Sequence, residues 1–543
     1  MSRHAPVISS ARLIAGCTLA SRVTGLIRDM LLVHTFSLSW ALDAFNYGFQ
    51  IPNLFRRLFG EGTLAAVFVP TFTQTLEDRG RADAWKLLAR TLALLTIAIV
   101  AVMVLIEGVI LTIWLVDPGG PARRVILGLT ALMLPFMLSI CVVALFSSIL
   151  NCVGSFVPAA LTPVVLNLVM IAGIVFLAPA MSPAPETQVF GVAIAVLAAG
   201  ALQVLLLLPV LRRHGVALGW SLRPRDPDVR RMLRMMPPVM LGQGVLLIGT
   251  FIDATLCTWL THVEGGARST SLLGVSFAYP LQEGALSAIT VAQRLYQFPL
   301  GVFGISLAVA ALPAFSRLAT KRDWDGWARE VTGSLRLAVF VGLAAGGLIV
   351  VLAEPIVRLL FEYRRFGAAD TARAARVLMF YGLGLWAFCA NHIVLRGFYS
   401  LGDVRTPVKI SCVLVPLNVA LSLVLVWFEG IREAAFAIST ATTSTLGVLV
   451  GIALLRQRSG TRLGGWQTAG AVARMVLAAG LACAATIGAR RLWAPALADA
   501  GLPAIIRRAG DTLGALALGS AVFVAASLLL RLPEAREMLR RRR

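Results

Sequence analysis

Fourteen apolar stretches of about 20 residues or more recur from one end of this 543-residue chain to the other. They lie near 9–35, 43–76, 87–116, 124–150, 157–179, 188–211, 232–261, 284–316, 331–353, 372–397, 407–428, 433–455, 468–489 and 509–530. An α-helix needs such a run to cross the hydrocarbon core of a bilayer. There the backbone must satisfy its own hydrogen bonds, so helices are the form these runs take. The expected fold is therefore an all-α integral membrane protein with 14 transmembrane helices. Composition agrees, with 58% hydrophobic and only 14% charged residues, where a soluble chain carries about a quarter charged. No segment between the runs is long enough for a soluble domain.

The formal net charge of +22 would point to nucleic acid in a soluble chain. Here the basic residues gather in alternate loops: Arg79, Arg81 and Lys86, then Arg212 to Arg234, Arg317 to Arg329, Arg396 to Lys409, Arg456 to Arg462, and the terminal Arg540 to Arg543. The positive-inside rule then places both termini and the 212–231 loop in the cytoplasm. The charge reads as topology, and no nucleic-acid partner is expected. Arg123, Arg124, Arg364, Arg365, Arg490 and Arg491 in the opposite loops soften the contrast. Seven cysteines fall within or beside the runs without a CxxC pair, which predicts small packing residues and no disulfide frame or zinc site. The first run is long, carries internal charges and lacks a clear cleavage site, so it is expected to remain as the first helix. Trp324 and Trp327 are expected to be interfacial anchors.

A weak repeat runs through the chain. Pro52, Pro70, Pro158 and Asn167 have counterparts at Pro299, Pro313, Pro407 and Asn418, at offsets of 247, 243, 249 and 251 residues. An offset of six spans preserves orientation, so the expected symmetry axis runs along the membrane normal with a cleft between two six-helix lobes. The expected organisation is a first lobe over 1–213, a cytoplasmic linker over 214–231 and a second lobe over 232–457. Two further helices follow over 458–531, with a basic cytoplasmic tail over 532–543. Pro52 and Pro299 should loosen spans 2 and 8.

Arg22, Arg28 and Arg56 sit inside or at the end of apolar runs, and Arg294 lies near the start of the eighth. An arginine at the bilayer centre costs about 2.5–3.5 kcal/mol, so such residues face a wet interior or a partner and mark a pathway. The guanidinium fork binds phosphate oxygens bidentately and stays charged at any relevant pH. Four of them lining one cleft would suit a pyrophosphate. The competing reading of Arg22 or Arg28 is an ion pair with Asp29 or Asp43 that staples helices together. No lysine lies in a Gly-Lys-Ser/Thr phosphate loop, so no nucleotide is indicated.

Two sets of motifs carry a family resemblance. Ser21-Arg22-Val-Thr-Gly-Leu-Ile-Arg28-Asp29, Asp43-Ala-Phe45, Ile51-Pro-Asn-Leu-Phe-Arg56-Arg57-Leu-Phe-Gly-Glu61-Gly62 and Phe68-Val-Pro70 resemble the N-terminal signature of the MurJ/MviN lipid II flippases. Gln293-Arg294-Leu-Tyr-Gln-Phe-Pro-Leu-Gly301 and Gly397-Phe-Tyr-Ser-Leu-Gly-Asp403-Val-Arg-Thr-Pro-Val-Lys409 resemble later motifs of the same family. The resemblance covers nearly the whole chain. It implies fourteen helices in the multidrug/oligosaccharidyl-lipid/polysaccharide exporter fold, with helices 13 and 14 forming a groove for a polyprenyl tail. It also implies that Arg22, Arg28, Arg56 and Arg294 bind substrate, with Asp29, Asp43 and Glu61 orienting them or gating. Some members bind sodium in the second lobe, which makes Asp253 and Asn418 candidate Na+ ligands, although Ser422 stands where a second carboxylate is expected. Gln293 replaces the acid usual before the span-8 arginine. About twenty extra residues around 265–282 lengthen the outer loop between spans 7 and 8, expected as a neutral insertion.

The implied activity is transport, not catalysis: lipid II (undecaprenyl-pyrophosphate disaccharide-pentapeptide) is flipped between leaflets of the bacterial cytoplasmic membrane by alternating access. No cofactor is expected beyond Na+ or membrane-potential coupling, and the expected partners are lipid II, membrane lipids and cell-wall synthesis machinery. The alternative is a related exporter of other polyprenyl-linked oligosaccharides or of drugs, which should lack the four-arginine set.

Overall fold

The computed structural model describes residues 5–58, 67–116, 120–223, 226–263, 269–272, 275–499 and 502–540. The chain separates into two compact units, Met1–Phe277 and Ala278–Arg543.

The first unit runs α1 (Ala5–Phe36), α2 (Trp40–Phe55), α3 (Val69–Arg79), α4 (Arg81–Val116), α5 (Pro121–Cys152), α6 (Phe156–Ala172), α7 (Ala178–Met181), α8 (Pro185–Arg213) and α9 (Pro227–Trp259). Ser39 starts α2 by accepting the Leu42 N–H on its hydroxyl, which satisfies one of the orphan donors of a first turn. α1 packs on α6, α2 on α5, and α8 on both α5 and α6. The α2–α5 seam is aromatic and tight. Phe49 stacks between Phe45 and Phe136, with ring centroids 5.8 and 6.0 Å away. Gly48 lets the backbones approach, since a Cβ there would lie 2.6 Å from Met133 Cε and 3.3 Å from the Thr130 backbone nitrogen. Small residues at such crossings are how helices associate without a hydrophobic drive between them.

The second unit contains α10 (Ala285–Pro299), α11 (Ser306–Thr320), α12 (Trp324–Phe361), α13 (Ala368–Ser400), α14 (Arg405–Leu425), α15 (Ala435–Ser459), α16 (Trp466–Asp499), α17 (Ala504–Leu529) and α18 (Pro533–Arg540). α12 and α13 form its spine, and α15 packs on α13. α16 and α17 pack on each other and on α12. Arg508 holds α17 to the end of α12 by donating to the Glu362 carbonyl and carboxylate, both at 2.8 Å. Trp327 is not an interfacial anchor. It is fully buried, and its indole N–H donates to Ser400 Oγ at 2.9 Å, so helix packing rather than the membrane surface claims it.

Eleven helices among the described residues are long and apolar enough to cross a membrane, including Phe156–Met181 and Ala285–Thr320 as continuous spans. The other three expected spans fall on α1, on α2 with α3, and on α9, of which Leu247–Trp259 forms a shorter apolar helix. α1 carries Arg12, Arg22, Arg28 and Asp29, α2 is only 16 residues long, and α9 opens with Arg230, Arg231 and Arg234. The charges and short length that set these helices apart include the residues singled out as functional.

The internal repeat has a structural counterpart in local geometry. After Pro52 the helix widens into π-type turns at 56–58, and after Pro299 it does so at Leu300–Ile305. Proline removes the i→i−4 bond, and the wider turn re-registers the helix behind it. Gly154 and Gly402 also match. Both adopt the left-handed conformation, at φ 82° and 73°. Each is followed by an N–H that closes on the carbonyl five residues back, Ser155 to Leu150 at 2.7 Å and Asp403 to Phe398 at 3.0 Å. That is the Schellman termination glycine favours.

The segment that holds the insertion carries short strands: β1 (Thr261–His262), β2 (Ser269–Leu272), β3 (Val275–Ala278) and β4 (Leu281–Gln282). Residues 264–268 and 273–274 lie outside the described residues. All seven cysteines are free.

Candidate functional site

The charged residues of α1 separate into two environments. Arg22 is exposed, whereas Arg28, six residues on, is only 8% exposed. Arg28 Nε and Nη2 both donate to Asp29 Oδ1, at 3.0 and 2.6 Å. Its Nη1 donates across the α1–α6 contact to Asn167 Oδ1 at 2.9 Å. A guanidinium has five N–H donors, and these two residues occupy three of them. Burial of a charge at this depth requires pairing plus hydrogen bonds to the remaining donors, and Asp29 and Asn167 provide both. The ion-pair reading of Arg28 therefore describes this conformation, with Asp29 as its partner.

Asn167 completes the cluster. Its Nδ2 donates to the Ser21 carbonyl at 3.1 Å and to Thr24 Oγ1 at 3.2 Å. Gly25 gives it room, since a Cβ there would sit 3.3 Å from Nδ2. Arg28, Asp29, Asn167, Ser21 and Thr24 thus form one polar cluster in an otherwise apolar helix pair. The sequence marks Asn167 only as the repeat partner of Asn418; its contact with Arg28 comes from the packing of α6 on α1.

Arg56 is half-buried at the π-type turn that ends α2, and its Nε donates to Asn53 Oδ1 at 2.9 Å. Asp43 is 5% exposed in the first turn of α2, where the positive end of the helix dipole favours a carboxylate. Glu61 lies outside the described residues.

In the second unit Arg294 is exposed on α10. Its neighbours tie that helix to α13. Gln293 Nε2 donates to Tyr381 Oη at 3.2 Å, and Tyr296 stacks on Tyr381 with centroids 4.6 Å apart. The amide at 293 therefore has a partner that needs no charge.

Of the candidate Na+ ligands, Asp253 is half-buried on α9 and Asn418 is buried on α14. Asn418 Oδ1 accepts from Thr443 Oγ1 at 3.4 Å, and Ser422 and Ser439 share a hydrogen bond of 2.6 Å. These two hydrogen bonds tie α14 to α15 through neutral side chains, and Asp253 is the carboxylate of the candidate pair. Among the described residues no group of three or more His, Cys, Asp or Glu could hold a metal ion.

The Gly397–Lys409 motif is a helix-to-helix turn. Asp403 caps α14, accepting from the Arg405 and Thr406 N–H groups at 3.1 and 2.9 Å and from the Thr406 hydroxyl at 2.6 Å. Arg458 approaches the same carboxylate at 3.5 Å. Partial burial acts to raise the Asp403 carboxyl, but the Thr406 bonds, the Arg458 charge and the Arg405 amide outweigh it and hold the group below its ordinary value.

The family model described as lipid II flippase MurJ matches residues 32–506. The chain belongs to the lipid II flippase MurJ family. A probable lipid II flippase MurJ of Vibrio cholerae is 31% identical over 460 residues, covering 82% of each chain. The lipid II flippase MurJ of Burkholderia cenocepacia is 32% identical over 408 residues, covering 73% of this chain and 74% of its own. Among solved structures, a lipid II flippase MurJ in an inward closed conformation superposes with a TM-score of 0.72 at 20% identity, over 96% of this chain and 99% of that one. An inward-facing multidrug resistance MATE transporter of the MOP superfamily reaches 0.65 at 16% identity, over 83% of this chain and 98% of that one. These two likenesses establish the MurJ/MATE fold. The family match includes Arg56 and Arg294 but begins after Arg28, so Arg22 and Arg28 stand on their own motif and geometry.

Proposed function

We propose that this chain flips lipid II from the inner to the outer leaflet of the bacterial cytoplasmic membrane by alternating access. Membership of the family over 32–506 carries that reading. The fourteen expected spans, two six-helix lobes with two added helices, and cytoplasmic termini are the topology it uses.

The lipid's charge is concentrated on its pyrophosphate, and Arg22, Arg28 and Arg56 are the residues proposed to receive it in the first lobe. Arg294 is the candidate contribution of the second. Arg28 supports the assignment because a planar fork held by Asn167 on one nitrogen and Asp29 on two is already oriented to exchange a carboxylate for phosphate oxygens. In that exchange Asp29 is the orienting acid. It neutralises the arginine when no lipid is bound and yields when a more highly charged anion arrives. Asp43 and Glu61 are proposed in similar gating roles. The polyprenyl tail is proposed to follow α16 and α17.

Outward movement of an anionic headgroup runs with an inside-negative membrane potential, worth about 2.3 kcal/mol per charge per 100 mV. We propose this potential as the driving term. The test is replacement: cells depleted of their own flippase should grow on this gene and fail on Arg28→Ala. Full growth on Arg22→Ala, Arg28→Ala, Arg56→Ala and Arg294→Ala alike would remove the arginine assignment.

A further inference from the structure

We infer that Asn167 is a positioning residue for the substrate's anionic group, acting through Arg28; the inference rests on the flippase reading. The geometry admits one orientation of the Asn167 amide. Arginine can only donate, so the atom facing Nη1 at 2.9 Å is the amide oxygen. The Ser21 carbonyl can only accept, so the atom facing it at 3.1 Å is the amide nitrogen. Thr24 Oγ1 takes the second amide N–H at 3.2 Å, while its own proton goes to the Ala20 carbonyl at 2.8 Å. The amide is thereby fixed at three points on α1 from a single position on α6.

Aspartate cannot reproduce this, because both its oxygens accept and one would face the Ser21 carbonyl. Serine or alanine cannot reach from α6. The side chain is 5% exposed, so no water competes freely for it. Its effect is to hold Nη1 while Nε and Nη2 remain on a carboxylate that a ligand can replace. A guanidinium fixed on one nitrogen loses less freedom on binding an anion than one that must be ordered at that moment. The same position in the repeat holds Asn418, whose amide oxygen accepts from the Thr443 hydroxyl at 3.4 Å.

The test uses purified full-length protein in detergent, titrated with inorganic pyrophosphate by calorimetry, beside thermal unfolding without ligand and a lipid II flipping assay. Asn167→Ala should weaken pyrophosphate binding about tenfold while Arg28 remains in place. Thr24→Val keeps the asparagine and the shape but removes one anchor of its amide. It should weaken binding by about threefold, and it carries the test if Asn167→Ala does not fold. A purely structural role for Asn167 would lower the unfolding temperature and leave pyrophosphate affinity unchanged in folded variants. That result would overturn the inference while leaving the flippase reading intact. Failure of the unaltered protein to flip lipid II would instead overturn the flippase reading.

Discussion

Arg28 and Asp29 are consecutive residues on α1, yet their side chains close a part-buried ion pair, with Nη2 2.6 Å and Nε 3.0 Å from the same carboxylate oxygen. Successive helix positions do not normally face each other, so the arginine must lie along the helix to reach its neighbour. Asn167 fixes it there from α6. The pair neutralises a charge inside an apolar helix contact, and it leaves an arginine whose partner can be exchanged.

Removing the acid strands the base. Asp29→Ala should destabilise the folded protein by about 1–3 kcal/mol, less than deletion from a fully buried pair because Asp29 keeps some contact with solvent. Thermal unfolding in detergent against the unaltered protein measures it. A change of only a few tenths of a kcal/mol would show that the pair is screened by solvent.

Arg28→Lys preserves charge but not the fork. A lysine ammonium cannot hold Asp29 through two nitrogens and Asn167 through a third. Lipid II flipping should fall at least tenfold in Arg28→Lys, close to the loss in Arg28→Ala. Equal activity in the lysine variant and the unaltered protein would show that only a point charge is needed.

The Asp403 cap gives a pH dependence with a definite sign. Its carboxyl titrates lower in the folded state than the ordinary value of about 3.9. Its contribution is therefore fully present above that ordinary value and is lost as pH falls through the lower folded value. Asp403→Ala should cost about 1 kcal/mol at neutral pH, and the difference from the unaltered protein should shrink under acid. Unfolding curves of both proteins at neutral and acid pH test this.

Gly342 lies at a close crossing of the α12–α13 spine. A Cβ there would lie 2.5 Å from Trp386 Cα, a backbone atom that cannot swing away. Gly342→Ala should destabilise by about 1–3 kcal/mol through forced separation of the helices, read as a lower unfolding temperature. Gly333, with nothing within 4 Å of the same added atom, is the control, since Gly333→Ala should be neutral or stabilising.

Much of this architecture was legible because apolar run length is a one-dimensional signal. The eleven apolar helices fall where the apolar runs put them, and Pro52 and Pro299 each precede π-type turns. What the sequence hid depends on contacts between distant segments. Asn167 lies 139 residues from Arg28, and nothing local to either announces their hydrogen bond. Trp327 looks like an interfacial residue by type and position, but its place against α13 buries it. The strands around 269–278 are too short for an alternation to show. The ion pair of Arg28 was one of two readings available from spacing, and only the side-chain geometry selects the partner in this conformation.

The most direct measurement of the central claim is the leaflet accessibility of labelled lipid II in cells whose sole flippase is this protein. With the unaltered chain, lipid II should become accessible from the periplasmic side. With Arg28→Ala it should accumulate on the cytoplasmic side at similar protein levels. Lipid II reaching the outer leaflet no faster with the unaltered chain than without it would contradict the account.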